Sequence, residues 1–450
     1  MNPETDMLSE RPAERTGTGG FPALATVPGG RIRGRVAARI VRYALRDLPV
    51  RLELPDGSSL GAGGDGDPVM TVHRPEAFFQ RLGASGLIGF GESYQAGDWD
   101  ADDLAGLLGV FAGNVSTLVP EPLQKLRRLH VVRRPLTENE TADEARDNIS
   151  RHYDLSNEMF SLFLDPTMTY SSALFDTAGA APLGARGPGG PASELARLDM
   201  SDGAPGVELL REAQERKIDR LLDLTNVGPG TRLLEIGSGW GELARRAARR
   251  GAKVRTITLS ERQLAYTRQQ AELAGLADSV QVELRDYRDT EGQYDAVLSV
   301  EMIEAVGKEH WPAYFSSLSR LLAPGGRVGL QAITMPHDRM LATARTQTWI
   351  IKYIFPGGLI PSMTAIRQNA ARAGLHIRDD LSFGTHYART LALWGERLLA
   401  NASRLGSLGF DETFRRTWRL YLAYSEAGFA SGYLDVHQLV LGREPLAAAA

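Results

Sequence analysis

Residues 233–241 read LLEIGSGWG, and ELARRAARRG, residues 242–251, follows at once. A short apolar run closes in three glycines, Gly237, Gly239 and Gly241, and a helix-forming segment begins. The pattern predicts a buried parallel strand that turns sharply into a helix. Glycines at such a turn let the backbone approach a ligand where a Cβ would collide. The first helical amides then face that ligand. Dinucleotide-binding folds also use a glycine-rich strand-to-helix turn, and a tight turn with no ligand is the plain structural alternative. Here the order is ExGxGxG, with Glu235 ahead of the glycines. A negative charge there suits a cationic amino-acid cofactor better than a pyrophosphate.

Working outward, the chain alternates between strand and helix from Leu209 onward. Candidate strands are RLLEIG, KVRTITL, VQVELRD, YDAVLSV and GRVGLQAI, separated by helical stretches. This rhythm predicts an α/β domain with a doubly wound, mostly parallel sheet and a ligand at the carboxyl ends of its strands. Residues 336–378 break the rhythm and read as a cap over a substrate site. The tail from 411 to 442 reads as a helix followed by a last strand, DVHQLVL.

Residues 1–30 are polar and rich in Gly, Pro and Thr, the composition of a disordered tail. Residues 31–120 read as a separate, smaller α+β unit, 121–148 as a linker, and 149–450 as the catalytic domain. Within 31–54, RIRGRVAARIVRYALRDLPVRLEL, Val36, Ile40, Val41 and Leu45 recur at helical spacing with arginines between them. Either this amphipathic helix lies on a core, or it rests on anionic lipid. KLRRLHVVRR, residues 125–134, is a second basic stretch. Residues 178–206, loaded with Ala, Gly and Pro, read as a flexible loop inserted into the catalytic domain.

Composition narrows the options. At 450 residues the chain has room for two or three domains, and 43% hydrophobic with 24% charged residues is ordinary for a soluble globular protein. No apolar run reaches the roughly 18 residues of a spanning helix, and the N-terminus lacks a signal-peptide core. With no cysteine, disulfides, thiolate metal sites and a cysteine nucleophile are excluded, and a cytoplasmic location is expected. A net charge of −4 gives no reason to expect nucleic acid.

The chemistry-bearing residues cluster at predicted strand ends. Thr258, Ser260 and Gln263, in TLSERQ, can hydrogen-bond a ribose or an amino-acid moiety, with helix capping by Ser260 as the alternative. In RDYRD, Asp286 can accept from an adenine amino group and Tyr287 can offer an apolar wall. SVEMIEAVG places Glu301 and Glu304 just after a strand, which favours an active edge over a solvated helix face.

The ExGxGxG turn resembles motif I of class I S-adenosylmethionine-dependent methyltransferases. HYDLSNEMFSLFLDPTMTYSSALF, residues 152–175, narrows the resemblance to the cyclopropane-fatty-acid synthases and mycolic-acid methyltransferases. TLSERQ, RDYRD, EMIEAVG, WIIKYIFPGGLIPS and HYARTLALWGERL follow in that family's order. GLIGFGESYQAGDWD resembles the N-terminal domain of the phospholipid-acting branch. The resemblance covers roughly residues 35–442.

The resemblance implies S-adenosylmethionine as cofactor, with Tyr170 and Ser171 added to its binding set. It implies methyl transfer to carbon, in which a cis double bond of a phospholipid acyl chain attacks the sulfonium methyl. The carbocation left on the neighbouring carbon needs an apolar, aromatic-lined tunnel. Tyr170, Phe175, Tyr353 and Phe355 are wall candidates, or ordinary core residues. In the family a bound bicarbonate takes the proton, held by a Cys, a Glu, a His, an Ile main chain and a Tyr. By motif these positions are Ser172, Glu304, Gln331, Ile333 and Tyr387. Serine and glutamine can still donate hydrogen bonds, but neither carries positive charge, so the hold on an anion should weaken. Bicarbonate then still binds, or Glu304 acts as base, or the cation rearranges before it loses a proton. The last route gives a 10-methylene branch in place of a ring, and the altered base site favours it.

The rivals are a ring-forming synthase, a small-molecule O- or N-methyltransferase, and a non-enzymatic lipid-binding protein. The implied setting is the inner face of an anionic membrane. A homodimer is open, and the residues do not indicate one.

Overall fold

The computed structural model describes residues 24, 26–114, 156–176 and 205–443. The tail before residue 24, the 125–134 basic stretch, the 121–148 linker and nearly all of the 178–206 insertion lie outside the described residues. The last two insertion residues, 205 and 206, already belong to a helix.

The N-terminal unit contains helices α1 (Arg31–Leu45), α2 (Pro75–Ser85), α3 (Leu87–Gln95) and α4 (Leu104–Gly113). Its sheet has the order β2-β1-β3-β4, built from β1 (Arg51–Glu53), β2 (Ser59–Leu60), β3 (Val69–Val72) and β4 (Trp99–Ala101). Helix α1 buries Gly34, Ala37 and Leu45. Gly34 and Gly83 make the close α1–α2 approach possible. A Cβ on Gly83 would sit 2.6 Å from the Arg33 carbonyl oxygen.

The second unit holds helices α5 (Pro205–Leu224), α6 (Glu242–Arg249), α7 (Glu261–Leu273), α8 (Trp311–Leu321), α9 (Trp349–Tyr353), α10 (Met363–Arg372), α11 (Gly384–Ala400) and α12 (Glu412–Ala430). Its strands are β5 (Arg232–Ile236), β6 (Lys253–Thr258), β7 (Val280–Leu284), β8 (Tyr294–Val300), β9 (Leu322–Thr334), β10 (His376–Ser382) and β11 (Asp435–Gly442). They form one sheet in the order β10-β11-β9-β8-β5-β6-β7. Strands β5 to β9 run parallel, whereas β11 pairs antiparallel with β9 and β10 antiparallel with β11. The central strands are covered on both faces, which is why LLEI and DAVLS read as near-continuous apolar runs. Strand order reverses between β5 and β8, so a crevice opens at their carboxyl ends.

Two readings of the sequence change here. Residues 336–378 are not all cap: α10 packs Ala365, Ile366 and Ala370 into the sheet's own core, and β10 begins at His376. HIRDDLS escapes an apolar-run search because β10 is a solvated edge strand, with every second residue exposed.

The two units share a hydrophobic core. Tyr94, Trp99 and Leu107 join one cluster with Phe160, Phe163, Trp394 and Trp418. Arg416 donates to Asp100 at 2.8 Å and to the Tyr94 carbonyl at 2.6 Å. Buried Glu92 accepts from Lys352 at 2.6 Å and Tyr353 at 2.8 Å, and Trp349 donates to Gln95 at 2.9 Å. Helix α9, inside the expected cap, is thereby clasped to α3.

Candidate active site

A deep pocket lies where the crevice was expected, across the carboxyl ends of β5, β6, β7 and β8. Gly237, Gly239 and Gly241 all have positive φ, at 92°, 49° and 85°. Gly237 and Gly241 are required by their surroundings. A Cβ on Gly237 would meet Met302 Sδ at 2.6 Å, and one on Gly241 would meet Thr267 Cγ2 at 2.5 Å. A Cβ on Gly239 would meet no protein atom within 4 Å and would enter the pocket. That open cradle fits a ligand pressed against the turn.

Glu235 lines the pocket, buried, with Oε2 accepting from the Thr256 hydroxyl at 2.6 Å. Burial pushes its carboxyl up to about 8. A bound cation would restore the charge, which is the chemistry expected of a site for an amino-acid ammonium group. Thr258 and Gln263 line the pocket and bond each other at 2.8 Å. Ser260 does not line it. Its Oγ accepts from the Gln263 N–H at 3.2 Å and caps α7, the alternative reading of that serine. Asp286 and Tyr287 sit at the β7 end of the pocket, and Arg288 holds both carboxylate oxygens of Asp286, at 2.9 and 2.7 Å. Tyr170 and Ser171 line the opposite wall.

The five positions carried over as a bicarbonate cage are brought together, but not around an empty centre. The carboxylate of Glu301 occupies it. Oε1 of Glu301 accepts from the Ser172 main-chain N–H at 2.9 Å and from Gln331 Nε2 at 2.8 Å. Oε2 accepts from the Tyr387 hydroxyl at 2.7 Å. Three of the five positions therefore hold Glu301. The remaining two hold each other: the Ile333 N–H donates to Glu304 Oε1 at 2.5 Å. The Ser172 hydroxyl turns away and donates to the Ala173 carbonyl at 3.2 Å. Glu301 was read as a cofactor residue, and it lines the cofactor pocket while it fills the cage. Its φ of 51° aims the side chain there, a conformation that carries strain outside glycine. Bicarbonate does not fit this arrangement. It would have to displace a carboxylate held by three hydrogen bonds.

Burial raises the Glu301 carboxyl, opposed by the Ser172 N–H, Gln331, the Lys217 charge and Tyr387. Glu304 is pushed up to about 8, first by burial and then by the charge of Glu301. Its Oε2 is buried without a partner among the described residues, as a protonated oxygen held in reserve would be.

Two of the four wall candidates, Tyr170 and Phe355, lie in an aromatic nest, and Tyr353 packs on Trp349 instead. Tyr170 packs on Phe160 and Trp394 with ring centres 5.2 Å apart, and its hydroxyl meets that of Tyr421 at 2.8 Å. Phe355 stands edge-on to Tyr421 at 5.6 Å, and Tyr387 packs on Phe429 at 4.5 Å. Phe175 stacks on His386.

Sequence reading missed Lys217, Gln214 and Gln438. Gln214 holds the Ser171 carbonyl at 2.8 Å, and Gln438 bridges the Lys217 carbonyl to Gln331 Oε1, both at 3.0 Å. The first two sit in REAQERKIDRLL, where neither differs in pattern from solvated helix residues. The third lies mid-strand in DVHQLVL, where only its polarity marks it.

Comparison with known proteins decides the family. The profile described as mycolic acid cyclopropane synthetase matches residues 140–439. The chain belongs to this family. It is 49% identical to tuberculostearic acid methyltransferase UfaA1 of Mycobacterium tuberculosis, over 97% of this chain and 98% of that one. It is 30% identical to cyclopropane-fatty-acyl-phospholipid synthase of Escherichia coli, over 87% and 92% of the two chains. Among solved structures, the cyclopropane synthase MmaA2 of M. tuberculosis aligns with a TM-score of 0.55 at 30% identity, covering 68% of this chain and 99% of that one. The cyclopropane synthase CmaA1, complexed with SAH and CTAB, aligns with the same TM-score and identity over 66% and 97%. The chain is thus an S-adenosylmethionine-dependent fatty-acyl methyltransferase of the Rossmann-like class I fold.

Proposed function

We propose that this enzyme adds a methyl-derived carbon to the cis double bond of phospholipid acyl chains and releases a 10-methylene-branched product. The cofactor supplies an electrophilic methyl group. The carbon that accepts it becomes methyl-bearing, and the positive charge falls on its neighbour. A hydride shift moves the charge to the methyl-bearing carbon, which is tertiary and the more stable place for it. Loss of a methyl proton then forms the exocyclic double bond.

The observation that carries this reading is Glu301 in the grip of Ser172, Gln331 and Tyr387. A resident carboxylate replaces a diffusible anion as base. It already accepts three hydrogen bonds, so taking a proton means weakening one of them. Slow deprotonation leaves time for the hydride shift, whereas a ring needs the proton removed before it. The aromatic nest of Tyr170, Trp394, Tyr387 and Phe429 supports the same reading, since ring faces shield a cation from water. The 49% identity to a tuberculostearic acid methyltransferase supports a branched product over a ring. Gas chromatography of fatty acid methyl esters from cells expressing the protein tests it: methylene-branched chains are expected, and cyclopropane chains alone would overturn it.

We further infer that the substrate is met at an anionic membrane surface. No helix of the described residues is long and apolar enough to cross a membrane. Helix α1, however, turns Ile32, Val36 and Tyr43 outward, 78%, 52% and 49% exposed, in one stripe flanked by Arg35, Arg39 and Arg42. The helix carries no acidic residue. An apolar stripe with basic flanks is the pattern of a helix lying in an anionic interface.

A further inference from the structure

The cofactor pocket has polar ends of different chemistry. At the β7 end stand Asp286 and Arg288, paired with each other. At the far end, towards β9 and β11, stand Ser171 and Lys217. Lys217 projects from α5 and is completely buried. Its ammonium donates to Ser171 Oγ at 2.6 Å, and its carbonyl is tied through Gln438 to Gln331.

A buried ammonium is costly unless an anion meets it. Yet Lys217 makes no ion pair among the described residues, and its one side-chain partner there is a neutral hydroxyl. Glu301 and Asp165 act on it only through charge, raising a pKa that burial still depresses to about 8, so it stays largely protonated at neutral pH. The arginines lining the pocket are engaged elsewhere: Arg288 holds Asp286, and Arg285 pairs with Glu283 at 2.9 Å.

S-adenosylmethionine brings three charged groups to this pocket: a sulfonium, an ammonium and a carboxylate. Glu235 and Glu301 match the two positive groups. The negative one needs a cation at the end away from the adenine, and one lining residue offers it there. We propose that Lys217, steadied by Ser171, is the counter-ion for the cofactor carboxylate. The inference rests on the cofactor assignment and adds a binding residue to it. Gln214 serves the same end: by holding the Ser171 and Thr169 carbonyls it fixes the loop that aims the Ser171 hydroxyl.

The test uses the full-length protein and two ligands that differ by one group. S-adenosylhomocysteine carries the carboxylate, and S-adenosyl-3-thiopropylamine is the same molecule without it. Calorimetry on wild type and Lys217→Met should show the variant about 10- to 100-fold weaker for the first ligand and unchanged for the second, the loss of one charged hydrogen bond. A variant that keeps its thermal transition but loses both ligands equally, or neither, would overturn the proposal. So would a variant that turns over slowly with full ligand selectivity, which would make Lys217 a partner of Glu301 alone. If Lys217→Met does not fold, Ser171→Ala decides, with a smaller selective loss expected and none overturning it. Failure of wild type to bind either ligand would instead remove the cofactor assignment.

Discussion

The Tyr387 hydroxyl donates to Oε2 of Glu301 at 2.7 Å, joining α11 to the end of β8 across 86 positions of sequence. With the Ser172 N–H and Gln331 it fixes Glu301 at the position we propose for the base, where the motif alone pointed to Glu304.

Glu301→Gln preserves shape and removes the proposed base. The chemical step should slow by about 10²–10⁴, the usual contribution of a general base. Tyr387→Phe should cost less, about 1.5–3 kcal/mol for one hydrogen bond to a charged group. Single-turnover rates, with S-adenosylhomocysteine affinity measured alongside, separate loss of chemistry from loss of binding. A fully active Glu301→Gln enzyme would return the role of base to Glu304.

Bicarbonate should stimulate the wild type little, because the cage is filled. Glu301→Ala empties it, so added bicarbonate or formate should then restore part of the rate. Ser172→Cys with Gln331→His, introduced on that background, should move product from methylene-branched towards cyclopropane. Gas chromatography of the released methyl esters reads both effects.

Glu304 gives a pH signature in the ligand-free protein. Its folded pKa, about 8, lies above the ordinary carboxyl value, so the folded state binds the extra proton between the two. The stability this represents is complete below the ordinary value and is lost as pH rises through about 8. Glu235 behaves alike, with a carboxyl also near 8. Glu304→Gln should therefore raise the melting temperature at about pH 8 more than at about pH 5. An equal change at both would show that Glu304 is ionised throughout.

Gly239→Val should weaken S-adenosylhomocysteine binding by at least about 100-fold. Its side chain enters the cradle, and the φ of 49° disfavours a β-branched residue. Calorimetry against a circular-dichroism check of the fold decides whether the cradle is the binding surface.

Co-sedimentation with anionic vesicles should fall as salt rises, and Arg35→Glu with Arg39→Glu should reduce it further. Each basic residue near such a surface contributes about 1 kcal/mol. Equal binding to neutral and anionic vesicles would exclude α1 as an electrostatic contact.

LLEIGSGWG was enough to place the pocket, because a strand, a turn with positive φ and a helix N-terminus are local consequences of adjacent residues. The parallel core strands were legible for the same reason, since burial on both faces leaves apolar runs. The family followed from motifs in order along the chain. Edge strand β10 was not legible, because its solvated residues carry no apolar signal. Nor was the occupant of the cage. Glu301 meets Ser172, Gln331 and Tyr387 from 129, 30 and 86 positions away, and motif order says which residues gather but not which of two glutamates stands at the centre. The buried charge of Lys217 was equally hidden. A lysine among charged helix residues is solvated by default, and only the packing of α5 beneath Ser171 and Gln438 takes it out of water.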